Sequence, residues 1–312
     1  MKRRALTLGT ALAVSAATAT VVTTPARAMV PAPAAAPART SAPAPLTGKA
    51  VYLSDKNGIQ VLTYNGRWTS QTVGGASFAG QFSVAPDGRR IAWIDGKNRL
   101  HVLSPAGDKV VARNAAYIGP CLTPAWSADG RRIAFPLKGQ SETRFVNAVD
   151  ADGKNLTRIG KTLGPCHLTW SADGRTLAGY AGTTDGVHLL DTRLHVSRRA
   201  PGIKLANHVE SVSPDARRIV VNTIGRNAPG GDGSWPTSFT PSIYDTVTGK
   251  KIPIPVGGKL LGARYLRDGR LVVRVAGRTA NTLVVLNASG REIQRLAEPA
   301  RARTFGLLGI LG

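Results

Sequence analysis

Two cysteines and five histidines are the residues of this chain most suited to redox, nucleophilic or metal chemistry. Cys121 and Cys166 each close a Gly-Pro-Cys tripeptide just ahead of an apolar run. Such matched contexts suit a disulfide if the chain is exported, and otherwise two buried thiols. A metal site would need further ligands nearby, and none accompanies them. His167 and His208 stand six and seven residues before aligned aspartates (Asp173 and Asp215), in similar surroundings. Glu210 and Arg264 lie on equivalent runs. Together these four residues suit a polar rim that holds an anionic or polar ligand, or else they are ordinary strand-end residues. His101, His188 and His195 fall on other apolar runs and are assigned no role.

Enzyme signatures are missing. There is no Gly-x-Ser-x-Gly elbow, since the stretch from Gly75, GASFAG, has the wrong spacing. No His-Glu-x-x-His and no phosphate loop occurs. The DADG at Asp150–Gly153 lacks the other ligands of a calcium loop and reads as a hairpin. No catalytic residue, metal or cofactor is expected.

The elements that must position these residues come from a repeat. Its copies begin at Phe82 (FSVAPDGRRIAW), Ala125 (AWSADGRRIAF), Leu168 (LTWSADGRTLAGY), Glu210 (ESVSPDARRIVV) and Ala263 (ARYLRDGRLVV). The aligned aspartates are Asp87, Asp129, Asp173, Asp215 and Asp268, with spacings of 42, 44, 42 and 53 residues. Each copy is a short apolar strand, a tight hairpin and a second strand. Asp hydrogen-bonds the turn backbone, and Gly88, Gly130, Gly174 and Gly269 supply its positive φ. The fourth copy has Ala216 at the glycine position, so its turn takes another geometry or carries strain. Each unit then offers two more strand-like runs, such as RFVNAVDA and LTRIG after Asp129. Four strands in about 42 residues make one propeller blade.

The phrase (hydrophobic)-x-x-Ser-x-Asp-Gly-Arg-x-(Ile/Leu)-Ala-(aromatic) resembles the WD40-like "PD40" repeat of TolB-like β-propellers. The resemblance covers roughly residues 50 to 312. It implies an all-β fold of four-stranded antiparallel blades. It does not imply one function, because the family spans interaction modules and peptidase propellers. Five copies leave a sixth blade to be assembled from both ends. AVYLS, IQVLTY and WTSQTV supply outer strands, and the C-terminal RTFGLLGIL supplies the innermost.

The N-terminus reads as an export signal over residues 1–28: a basic MKRR, an apolar run and an Ala-Arg-Ala cleavage site ending at Ala28. Residues 29–48 are a Pro/Ala-rich spacer. The propeller then occupies 49–312. The formal charge of +23 favours anionic surroundings, though no run of basic residues marks a nucleic-acid arm.

The spacing of 53 residues reflects an insertion, TIGRNAPGGDGSWPTSFTP from Thr223, which carries Arg226, Asp232 and Trp235. Long loops in compact domains are often functional, and Arg and Trp are common binding anchors. The loop should overhang the same mouth as His167 and His208. The sequence therefore predicts a monomeric, exported, non-catalytic propeller that engages an envelope or secreted protein, an anionic polymer or a membrane surface at its channel mouth. The alternative is a propeller hydrolase or lyase with a small polar site in the channel.

Overall fold

The computed structural model describes residue 46 and residues 49–54, 58–74, 81–117, 119–139, 141–228 and 239–311. Blade one joins β1 (Lys49–Ser54), β2 (Gly58–Tyr64) and β3 (Trp68–Gly74). Blade two is β4 (Phe82–Val84), β5 (Ile91–Ile94), β6 (Arg99–Ser104) and β7 (Gly107–Arg113). Blade three is β8 (Ala125–Trp126), β9 (Arg132–Pro136), β10 (Arg144–Asp150) and β11 (Thr157–Thr162). Blade four is β12 (Cys166–Trp170), β13 (Thr176–Tyr180), β14 (Val187–Asp191) and β15 (Val196–Arg199). Blade five is β16 (Ala206–Val212), β17 (Arg218–Thr223), β18 (Ser242–Asp245) and β19 (Lys251–Ile252). Blade six is β20 (Leu260–Tyr265), β21 (Leu271–Val275), β22 (Thr282–Leu286) and β23 (Glu292–Ala297). The last strand, β24 (Gly306–Leu311), returns to pair antiparallel with β1 and completes blade one from the other end of the chain. The fold is thus a six-bladed propeller of four-stranded antiparallel sheets.

The core is a set of wedges between neighbouring blades. The central strands explain this. Along β9, Ile133 and Phe135 pack with blade two residues such as Leu100. Ala134, between them, packs with Leu168 and Leu177 of blade four. Side chains alternate across a strand, so a strand buried on both faces reads as an unbroken apolar run, here Ile133, Ala134 and Phe135. The wedge between blades one and two gathers Val51, Ile59, Phe82 and Ile91. The wedge between six and one gathers Tyr52, Leu62, Val272 and Leu283.

In blades three, four and five the repeat phrase closes the first hairpin with one and the same network. In blade three the Ser127 hydroxyl donates to Asp129 Oδ1 at 2.6 Å, and the Arg131 N–H donates to the same oxygen at 3.0 Å. The Arg132 N–H donates to Ser127 Oγ at 2.9 Å. Partial burial works against ionisation of Asp129, but these bonds outweigh it and hold the carboxyl below its ordinary range. Ser171–Asp173 and Ser213–Asp215 repeat the pattern. Ala216 adopts φ 56°, the left-handed geometry that Gly88, Gly130, Gly174 and Gly269 take in the sister turns. The fourth copy therefore keeps the turn and carries the strain.

Ring closure uses a buried ion pair that the repeat gives no hint of. Arg274 of β21 and Glu298 meet at 2.8 Å with side chains 1% and 0% exposed. Arg274 also donates to the carbonyls of Ala302 (2.8 Å) and Phe305 (2.6 Å), which lead into β24. The Tyr52 hydroxyl donates to Glu298 at 2.7 Å. One guanidinium thereby fixes the short 3-10 turn (Ala300–Thr304) that aims the last strand at β1.

Candidate functional site: the central channel

The first strand of each blade lines a central cavity of about 220 Å³. Pro86, Ala128 and Ala172, the residues just before the turn aspartates, border it, so it opens toward the Asp-Gly end of the ring. Its wall combines aromatic and polar groups: Trp126, Trp170 and Tyr265 with Ser83, Thr169, Glu210 and Arg264. Arg267, exposed, stands at its edge.

Glu210 and Arg264 were expected to share one rim with His167 and His208; they meet each other instead on the wall of the cavity that opens toward the Asp-Gly end. Glu210 is 3% exposed, and its Oε2 accepts the Ala263 N–H at 3.0 Å. Arg264 donates through Nη1 to the Glu210 carbonyl at 2.8 Å, and its Nε lies 3.4 Å from Oε1. That last contact is an ion pair without hydrogen-bond geometry, since Arg264 Nε makes no hydrogen bond. Burial pushes the Glu210 carboxyl up to about 7, against the opposing pull of the Arg264 charge and the Ala263 N–H. Two more channel groups are incompletely bonded. Ser83 Oγ and Trp170 Nε1 are buried without a hydrogen-bond partner in the protein. Neither atom is accessible from the cavity; the cations that the wall offers a ligand are Arg264, with 14% of its side chain exposed, and Arg267 at the edge.

His167 and His208 are brought together, but not as a rim. They are 1% and 3% exposed, and neither borders the cavity. Their Nδ1 atoms face each other across the blade four–blade five junction. The rings pack edge-on to Tyr180 and Phe239. Burial, with the neighbouring His167 and Arg264, drives the His208 imidazole well below its ordinary range. His167 reaches this place through a bulge in β12 and a left-handed φ of 46°.

Cys121 and Cys166 form the expected disulfide, tying the chain entering blade three to that entering blade four. Beside it, at the end of the ring opposite the Asp-Gly turns, lies a cleft of about 540 Å³ that includes Glu142, Arg144, Asp185 and His188. Burial and the Arg199 charge lower the His188 pKa. Only the Gly-Pro-Cys motif pointed to this region from sequence. Arg226 is exposed beyond β17 at that end. Asp232 and Trp235 lie outside the described residues. His101, assigned no role, sits buried between Asp95 (3.2 Å) and Asp108 (2.8 Å) and stacks on Trp93. Among the described residues no three His, Cys, Asp or Glu side chains gather as a metal site.

Solved structures share the fold. The crystal structure of TolB from Acinetobacter baumannii matches with a TM-score of 0.53 at 14% identity, over 83% of this chain and 66% of that one. The fold is a TolB-like propeller. The chain spans just under two thirds of that TolB's length. A chain from the crystal structure of the Nidogen/Laminin complex matches at TM-score 0.53 and 10% identity, over 85% of this chain and 98% of that one. At such identities the likeness is one of fold. No protein-family model and no curated protein matches the chain.

Proposed function

We propose that this chain is an exported, non-catalytic binding module that takes an acceptor-bearing segment of an envelope or secreted partner into the Asp-Gly mouth of its channel. The observation that carries this reading is the channel wall, where Trp126, Trp170 and Tyr265 stand beside Arg264, with Arg267 at the edge. A backbone carbonyl or carboxylate entering there would meet Arg267 on the way in and Arg264 within. The surrounding indoles supply flat apolar area for a partner's side chains. Export is supported by the N-terminal signal pattern and by the disulfide, which is rare in reducing compartments. That a similar chain was solved within a Nidogen/Laminin complex is in keeping with an interaction role.

The test is capture from the native envelope by three forms of the protein, with mass spectrometry of what is retained. Wild type should retain a partner. Trp170→Leu with Arg267→Gln removes one aromatic wall and the cation at the edge. It should weaken capture about tenfold, the equivalent of ~1.4 kcal/mol. Arg226→Ala with Trp235→Ala should leave it unchanged. The reverse pattern would move the site to the opposite end of the ring.

A further inference from the structure

A backbone carbonyl and a carboxylate differ in charge, and the charges of the channel wall distinguish them. Among the described residues, three charged side chains line the cavity: Arg264, Arg267 and Glu210. Arg264 keeps 14% of its side chain exposed, and Arg267 is exposed at the edge. Glu210 is the one carboxylate of the wall, and it is buried. Around the mouth, each turn of the repeat sets one or two arginines against its aspartate. Asp87, Asp129, Asp173, Asp215 and Asp268 each accept a backbone N–H of their own turn. Within the cavity, then, the charge that opposes an entering anion is that of Glu210.

Glu210 is held where it stands. Its Oε2 accepts the Ala263 N–H, and its Oε1 rests against Gly262, where a Cβ would come within 2.9 Å. Arg264 donates through Nη1 to the Glu210 carbonyl at 2.8 Å and through Nη2 to the Leu307 carbonyl at 3.4 Å. Each of these nitrogens carries a second N–H, so the guanidinium has donors left for a ligand. A ligand carboxylate seated there would share one cation with Glu210. Two carboxylates in one buried site do not both stay ionised, and one of them takes a proton. Glu210, the more deeply buried, is the one that takes it. The other groups around it do not supply that charge. Arg274 of β21 is committed to Glu298. His208, on β16 itself, is driven well below its ordinary range by burial and stays neutral, with its Nδ1 facing His167 of β12. Tyr265 of β20 is also neutral, because burial pushes its hydroxyl up.

We propose that the channel takes its ligand as a carboxylate seated on Arg264, and that Glu210 gains a proton from solvent as the ligand binds. This rests on the channel reading and selects between the two acceptors named there. The unliganded protein is poised for the exchange, because burial raises the Glu210 carboxyl to about 7. Below that pH Glu210 is neutral, and Arg264 meets the ligand as an uncompensated cation. Above it Glu210 is ionised, offsets Arg264 and must first be protonated. Affinity for a carboxylate is therefore full below about pH 7 and falls by up to about tenfold per pH unit above it. Affinity for a neutral carbonyl would not change with Glu210.

The test titrates the full chain with two probes, the peptide acetyl-Gly-Ala-Leu with a free C-terminal carboxylate and the same peptide as its amide. Tryptophan fluorescence reads binding, since Trp126 and Trp170 stand in the wall. The peptide carboxyl titrates near ~3.5, so it is ionised throughout the range used, pH 6 to 8.5. Wild type should bind the carboxylate about thirtyfold more tightly at pH 6 than at pH 8.5, and the amide weakly at both. Glu210→Gln is a permanent stand-in for the protonated acid. It should bind the carboxylate at both pH values as wild type does at pH 6. Calorimetry of wild type at pH 7, in buffers of different ionisation enthalpy, should register uptake of about half a proton per peptide. That reading needs no variant. A carboxylate affinity that does not change with pH, or no proton uptake, overturns the role of Glu210. Equal binding of the amide overturns the carboxylate. Either result leaves the channel reading standing. If Trp170→Leu with Arg267→Gln binds the carboxylate as wild type does, or wild type binds neither peptide, the channel reading falls together with this proposal.

Discussion

At the residue scale, Glu210 links the channel to pH. Its carboxyl is raised from 4.5 to about 7 because burial disfavours the charge. The folded protein thus holds this proton more tightly than the unfolded chain. The stability it contributes is full below about pH 4.5, declines as pH rises, and is gone above about 7, a span of roughly 3 kcal/mol. His208 acts in the opposite sense. Its folded pKa is depressed, so its contribution is present above the unfolded value of 6.5 and is lost as pH falls below it. Denaturant titrations from pH 4.5 to 8 should therefore show wild type losing stability relative to Glu210→Gln as pH rises. Parallel curves would mean that Glu210 titrates normally. Ala216 gives a second residue-scale outcome. A left-handed alanine costs about 1 kcal/mol that glycine does not. Ala216→Gly should raise Tm by about 2 °C, and a lower Tm would show the turn to be unstrained.

At the element scale, β24 has partners from both ends of the chain. It pairs with β1, but the Arg274 side chain sets the turn that delivers it. Arg274→Met removes the cation and leaves Glu298 buried with only the Tyr52 hydroxyl for company. Breaking one side of a buried pair costs about 3–5 kcal/mol. Urea unfolding should register that loss, together with easier proteolysis within residues 299–311. Glu298→Gln with Arg274→Met should recover part of it, because the orphaned charge is then gone. Loss confined to the double variant would contradict the lock.

At the scale of the whole molecule, the ring is held by wedges between blades and by one covalent tie. The Cys121–Cys166 bond closes a loop with a sequence separation of 45 residues. In the chain-entropy account this is worth about 4 kcal/mol. Cys121→Ser with Cys166→Ser should lower the unfolding free energy by about that amount without changing the far-ultraviolet spectrum of the folded protein. The same stability with and without the bond would mean that the reduced, unfolded chain is already compact.

The blade count, the hairpin chemistry, the disulfide and the closing strand were legible in the sequence. All but the last two are set by contacts within a few residues: Ser127, Asp129 and Arg131 complete one network inside AWSADGRRIAF. Cysteine context and a leftover apolar run supplied the other two. What the sequence left open lies across blade junctions. His167 meets His208 at a separation of 41 residues, Arg264 meets the Glu210 carbonyl at 54, and Arg274 meets Glu298 at 24. Those meetings depend on the stagger of neighbouring inner strands and on bulges in β12 and β16, which hydrophobic periodicity does not encode. The histidines read as a rim for that reason. A one-residue bulge changes which side of a strand a side chain takes, and here the tertiary packing turned both rings inward and left Glu210 and Arg264 to line the channel.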